Sequence, residues 1–119
     1  MNTIAHFLRS LRYAMRGIAS VARQENSFRL QLFAAATMLV FIFAFPLATW
    51  ERVLLIVMVA AVLVLEILNT IFERISDALK PRLSPVVKEV KDMMAGAVLL
   101  TSLTAVVVAV IIFWSYLVQ

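Results

Sequence analysis

Apolar positions in this chain gather into three long runs, separated by short charged stretches. The first runs from about Leu30 to Leu47, with Thr37 as its clearly polar interior position. The second starts at Val53 and reaches Glu66 before a charged side chain appears. The third continues from Met93 to Val118 without a charge. At ~1.5 Å per helical residue, each is long enough to cross a hydrocarbon core of ~30 Å. Residues 5–24 follow a different pattern. Leu8, Leu11, Met15, Ile18 and Ala22 fall at helical spacing on one side, and Arg9, Arg12, Arg16 and Arg23 on the other. A basic amphipathic helix of this kind suits a membrane surface, whether as a working part or as a plain anchor.

These patterns predict an all-α membrane protein of one domain, 1–119. It has a surface helix at 5–24 and membrane-spanning helices at 30–47, 52–79 and 87–118. Glu25-Asn26-Ser27-Phe28-Arg29 links the surface helix to the first span, with Asn26 or Ser27 as its cap. Pro46 and Trp50 mark the outer end of the first span, and Trp114 and Tyr116 that of the third, where aromatic side chains favour the interface. The very short turn between the first two spans makes them antiparallel neighbours. The second span is longer than a bilayer needs, and its last turns should project from the membrane. Pro81 and Pro85 then break the helix, with Ser84 as a cap and the third helix starting near Val86 or Val87. Ala95, Gly96 and Ala97 offer a small surface for close helix packing.

Composition agrees with this picture. The 119 residues are 64% hydrophobic, and only two Gly and three Pro interrupt them, as long helices require. The net charge of +4 could point to nucleic acid, but its distribution points elsewhere. Five Arg precede the first run, five Lys or Arg lie between the second and third (Arg74, Lys80, Arg82, Lys88, Lys91), and Arg52 alone sits between the first and second. This positive-inside alternation predicts that the N-terminus and the 74–91 loop are cytoplasmic, with the 48–52 turn and the C-terminus outside. The Arg-interrupted start is not that of a signal peptide. With no Cys and one His, a metal must be held by oxygen, which favours Mg²⁺-like ions.

The chemistry concentrates where the second run ends. Helical geometry puts Glu66, Asn69 and Glu73 on one face, with Asp77 a turn further on. Lys91 and Asp92 open the next span at similar depth. An ionisable group at the membrane boundary is a functional candidate, because burying it is expensive. Carboxylates can hold Mg²⁺, Lys91 can neutralise phosphate, and Glu66, the deepest of the set, can take a proton from a lipid hydroxyl. Plainer readings stand beside these. Asn69 can bond across a helix interface, Glu73, Arg74 and Asp77 can form a solvated helix end, and Glu25 alone reads as a solvated boundary charge. No glycine-rich phosphate loop is present, which excludes a conventional soluble kinase fold.

Glu66-Ile-Leu-Asn69-Thr-Ile-Phe-Glu73 followed by Asp77, and Lys91-Asp92-Met-Met-Ala95-Gly96-Ala97-Val98, resemble the paired signatures of the prokaryotic diacylglycerol kinase and undecaprenol kinase family. Tyr13 through Gly17, then Glu25 with Phe28-Arg29, resemble its N-terminal pattern. The resemblance covers nearly the whole chain. It implies a homotrimer of three-span subunits in the bacterial plasma membrane that phosphorylates a lipid alcohol with MgATP at the cytoplasmic interface. It implies Glu66 as general base and Glu25 and Glu73 as metal ligands. It implies an ATP site that also includes Tyr13, Asn69, Asp77, Lys91 and Asp92, and lipid contacts at Phe28, Glu66 and Ala95. His6 stands where many relatives have Arg, and Leu83-Ser84 where diacylglycerol kinases often have Tyr-His. The Ala95-Gly96-Ala97-Val98 run looks more like the undecaprenol kinase branch.

The function expected is ATP-dependent phosphorylation of diacylglycerol or undecaprenol. The rival is a small proton-coupled membrane transporter using Glu66 as an intramembrane carboxylate. A transporter has no reason to gather Glu73, Asp77, Lys91 and Asp92 at one boundary, and a purely structural membrane subunit explains neither motif.

Overall fold

The computed structural model describes residues 2–79 and 84–118, with the Ser84 side chain outside the description. Of the expected Lys80–Lys88 connection, Lys80 to Leu83 fall outside the described residues, and Ser84 to Lys88 are already helical. Four helices follow one another: α1 (Thr3–Gln24), α2 (Asn26–Ala44), α3 (Thr49–Leu79) and α4 (Ser84–Leu117). Three of them, α2, α3 and α4, are long and apolar enough to cross a membrane.

Local chemistry sets the helix ends. Asn2 caps α1, its Oδ1 accepting from the Ile4 N–H at 3.0 Å. A single extended residue, Glu25, separates α1 from α2. The expected caps Asn26 and Ser27 are therefore already inside α2, and the Glu25 side chain makes no cap bond. The corner is held from the other side. Arg29 donates to the Ala22 and Arg23 carbonyls at 2.9 and 2.8 Å, covering the open C-terminal end of α1. It also bonds Asn26 Oδ1.

Helix α2 stops at Ala44, ahead of the Leu47 limit read from the apolar run. Pro46 drives the preceding residue out of helical conformation, and Phe45 is extended at φ −88°, ψ 149°. At the start of α3, Glu51 reaches back to accept from the Ala48 N–H at 2.9 Å, one half of a capping box. Helix α4 begins at Ser84, earlier than the expected Val86 or Val87. Pro85 falls in its first turn, where a missing N–H removes no helical bond, so this proline does not break the helix.

Helix α3 lies between α2 and α4 and packs against both; α1 touches α2 and α3 near the corner. At the Glu51 end, Ile42, Leu47, Leu55 and Ile112 form a buried cluster. Phe41, Phe45 and Phe113 meet edge to face around it, with centroids 5.1–6.2 Å apart, and bring α2 and α4 together there. A polar knot sits on top. Glu51, though buried, also accepts from the Tyr116 hydroxyl at 2.5 Å. Arg52 donates to the Ile42 and Phe45 carbonyls at 3.1 and 3.0 Å. Tyr116, expected as an interface aromatic, is thus a tie between helices.

Elsewhere α2 and α4 stand apart over α3. The space between them is an apolar groove of about 380 Å³. Its floor is α3 from Leu55 to Leu63, and small residues, Ala34, Ala35, Ala105 and Ala109, form much of its walls. Many large apolar side chains, Phe33 and Leu100 among them, face outward, as lipid contact allows.

Candidate active site

The ties between helices set their register. Lys91 pairs with Asp77 at 3.5 Å near one end of the α3–α4 pair, and Tyr116 bonds Glu51 near the other. From α3, Arg74 donates to Gln24 at the end of α1 at 2.6 Å, just before the corner into α2, and Arg52 donates to Phe45 at the far end of α2. Counting inward from these ties places Gln31 of α2, Glu66 of α3 and Ser102 of α4 at one level. That level is an end of the apolar groove, which Gln31 and Ser102 both line.

Glu66 is buried, 7% exposed, at the end of an apolar helix stretch. Its backbone carbonyl accepts from the Thr70 hydroxyl at 3.0 Å, a bond that keeps the Thr70 hydroxyl satisfied within the helix. The Gln31 side chain faces its carboxylate from α2. Glu73 and Glu25 lie within electrostatic reach of it. Asn69 and Glu73 are half-buried one and two turns along α3, and Asn69 Nδ2 donates to Glu73 Oε1 at 3.2 Å. This bond turns the Asn69 amide so that its nitrogen serves the carboxylate. Glu25 approaches from the α1–α2 corner, where Arg74 Nη2 lies 3.9 Å from its Oε1.

Among the described residues no three His, Asp or Glu side chains form a metal-binding cluster. Magnesium bound beside a nucleotide ordinarily uses one or two carboxylates plus phosphate oxygens. The all-oxygen pair Glu25 and Glu73, with Asn69 between them and Glu66, fits that need.

The remaining expected residues are distributed unevenly. Lys91 is half-buried and reaches Asp77, which joins the start of α4 to the end of α3. Asp92 points the other way, to Lys88 at 2.8 Å, and is exposed. Tyr13 is exposed on α1 with the Arg16 guanidinium 5.6 Å from its ring centre. Twelve helical positions, about 18 Å of axis, separate it from Glu25. Phe28 is 2% exposed and belongs to the interior of the chain. Ala95 is exposed, and a Cβ placed on the neighbouring Gly96 would meet nothing within 4 Å, so among the described residues no helix packs closely on Gly96.

Two residues of the site were missed in the sequence. Gln31 lies within the first apolar run, where Thr37 had been taken as the clearly polar position; its place in an otherwise apolar stretch was the signal. Arg74 read as part of a positively charged loop, and nothing local announces a contact fifty residues away.

Three membrane-length helices with a buried carboxylate between them define a class, an all-helical membrane protein. Comparison with known proteins narrows it. Residues 12–113 match the prokaryotic diacylglycerol kinase family. The chain is 30% identical over 112 residues to the undecaprenol kinase of Bacillus subtilis (strain 168), covering 94% of this chain and 91% of that one. It is 30% identical over 104 residues to the diacylglycerol kinase of Escherichia coli (strain K12), covering 87% and 85%. The chain belongs to the prokaryotic diacylglycerol kinase family and is an enzyme of the lipid kinase class. The transporter reading gains no support from these likenesses.

Proposed function

We propose that this protein transfers the γ-phosphate of ATP to the hydroxyl of a membrane lipid alcohol, diacylglycerol or undecaprenol. The observation that carries the reading is the position of Glu66. It is a buried carboxylate at the end of an apolar groove, with Glu25 and Glu73 in electrostatic reach. A lipid whose hydrocarbon lies along the groove presents its hydroxyl at that level.

Glu66 is the general base. Its carboxylate takes the proton as the lipid oxygen bonds to the γ-phosphorus and the bond from that phosphorus to the β,γ-bridging oxygen breaks, releasing ADP. Gln31, facing the carboxylate from α2, orients it. Glu25 and Glu73 would hold Mg²⁺ with ATP, and the ion when bound supplies neutralisation of phosphate charge. Asn69 fixes the Glu73 carboxylate. Lys91, with Asp77 and Asp92, forms the nucleotide side, and Tyr13 completes the ATP site from α1. Phe28 and Ala95 are assigned to the lipid side, Phe28 by shaping the wall from within.

The proposal extends to setting. The chain is read as one domain. Helix α1 lies as an amphipathic helix on the membrane surface, with its Arg stripe outward and Leu8, Leu11 and Met15 toward lipid. The N-terminus and the 74–91 loop are cytoplasmic, where ATP is. The subunits assemble as a homotrimer, for which the outward apolar faces of α2 and α4 provide surface.

The test is phosphate transfer from labelled ATP in mixed micelles, with diacylglycerol and undecaprenol offered side by side in the presence of Mg²⁺. Labelled lipid phosphate from either supports the reading. Transfer to neither, or absence of ATP binding, overturns it.

A further inference from the structure

The hydroxyls of the long helices mostly satisfy themselves. Thr37, Thr70, Thr101 and Thr104 each donate to the carbonyl one turn back, at 2.8–3.0 Å. Ser102 does not. Its Oγ is buried and has no hydrogen-bond partner among the described residues. A buried hydroxyl left unbonded is unfavourable and calls for an explanation. Ser102 lines the groove on the α4 wall and Gln31 on the α2 wall. The register of the helices puts both level with Glu66, which lies on α3 just beyond the Leu63 end of the floor. One torsion, χ1, sets where its hydroxyl points.

We infer that Ser102 is a substrate-binding residue whose hydroxyl donates a hydrogen bond to the reacting oxygen of the lipid alcohol, opposite Glu66. The inference rests on the kinase reading above. The lipid hydroxyl then makes two bonds in the groove: its proton goes toward Glu66 and one oxygen lone pair accepts from Ser102. The other lone pair is directed at the γ-phosphorus of ATP. As the proton passes to Glu66, negative charge grows on the lipid oxygen and the bond from Ser102 strengthens. An interaction that is stronger in the transition state than in the ground state acts on kcat more than on KM. Because the contact is to the hydroxyl that every lipid alcohol carries, it serves an acylglycerol and a polyprenol alike.

The experiment uses the full-length protein in mixed micelles with MgATP, and the variants Ser102→Ala and Ser102→Thr. Ser102→Ala is expected to lower kcat/KM about five- to tenfold with both diacylglycerol and undecaprenol, mainly through kcat, with KM for ATP unchanged. Its thermal unfolding midpoint is expected not to fall, since the alanine removes an unbonded buried hydroxyl. Ser102→Thr, which keeps the hydroxyl, should recover most of the activity. Unchanged turnover in Ser102→Ala overturns the inference. A loss confined to diacylglycerol also overturns it, since it moves the contact to an ester carbonyl. A loss of turnover matched by a lower unfolding midpoint makes the role structural and overturns it too. If the unaltered protein phosphorylates neither lipid, the kinase reading itself has failed, an outcome distinct from the other three.

Discussion

The Tyr116 hydroxyl donates to Glu51 Oε1 at 2.5 Å, tying the last turn of α4 to the first turn of α3 across sixty-five residues of chain. The same carboxylate accepts from the Ala48 N–H, so one buried side chain closes a helix start and joins two helices. Arg52, the next residue, covers carbonyls at the end of α2. All three long helices are therefore fixed to one another at this end, above the Phe41, Phe45 and Phe113 cluster. The groove that leads to Glu66 begins below that clamp.

Tyr116→Phe should remove the tie and keep the ring packing. Hydrogen bonds to charged groups contribute about 1.5–3 kcal/mol, so a loss of about 2 kcal/mol is expected. Thermal unfolding in detergent reads it directly. Phosphate transfer, which we propose takes place at the far end of the groove, should change far less than stability, and an unchanged midpoint would mean that the bond contributes nothing.

Glu66→Gln keeps the size of the side chain and its ability to bond Gln31, and removes the proton acceptor. Turnover should fall by about 10²–10⁴-fold, the usual contribution of a general base, while the helical circular dichroism and unfolding midpoint stay near those of the parent. Retained activity would remove Glu66 from the role of base.

Glu25→Gln and Glu73→Gln each take one carboxylate from the proposed oxygen-donor pair. Each should raise the Mg²⁺ concentration for half-maximal activity about tenfold or more, and the two effects together should not add, because the groups act on one site. A Mg²⁺ dependence that is the same in both variants as in the parent would count against the assignment.

Lys91 and Lys88 make a paired comparison. Lys91 is half-buried beside Asp77, whereas Lys88 pairs with Asp92 at the exposed surface, where a single ion pair contributes little. Lys91→Met should raise KM for ATP severalfold, and Lys88→Met should leave it near the parent value. Steady-state titration of ATP in both variants decides between them, and equal effects would separate Lys91 from the phosphate.

The pattern of apolar runs was enough to read an all-helical chain with three membrane-length helices. That pattern is a direct consequence of the need to satisfy the backbone inside a membrane. The spacing from Glu66 to Glu73 placed the Asn69–Glu73 contact on one face, because a helix fixes which residues three and four apart are neighbours. Pro46 explains the end of α2 by local sterics alone, and the same local rule shows why Pro85 sits comfortably in the first turn of α4.

What local rules could not supply is everything that depends on how helices are set side by side. Gln31 meets Glu66 only because α2 runs antiparallel to α3, held at one end by Arg52 and at the other by the corner whose α1 side Arg74 bonds. Glu25 reads locally as a surface charge and gains its place near Glu66 only through the corner that Arg29 holds. Tyr116 has the sequence context of an interface aromatic and became a tie because Glu51 lies opposite it. The groove, and with it the unbonded hydroxyl of Ser102, exists because α2 and α4 both rest on α3 while standing apart from one another. Periodicity along one helix determines which side chains share a face. Which faces meet, and at what level, is decided by packing and by bonds between residues far apart in the chain, and those appear only in the tertiary structure.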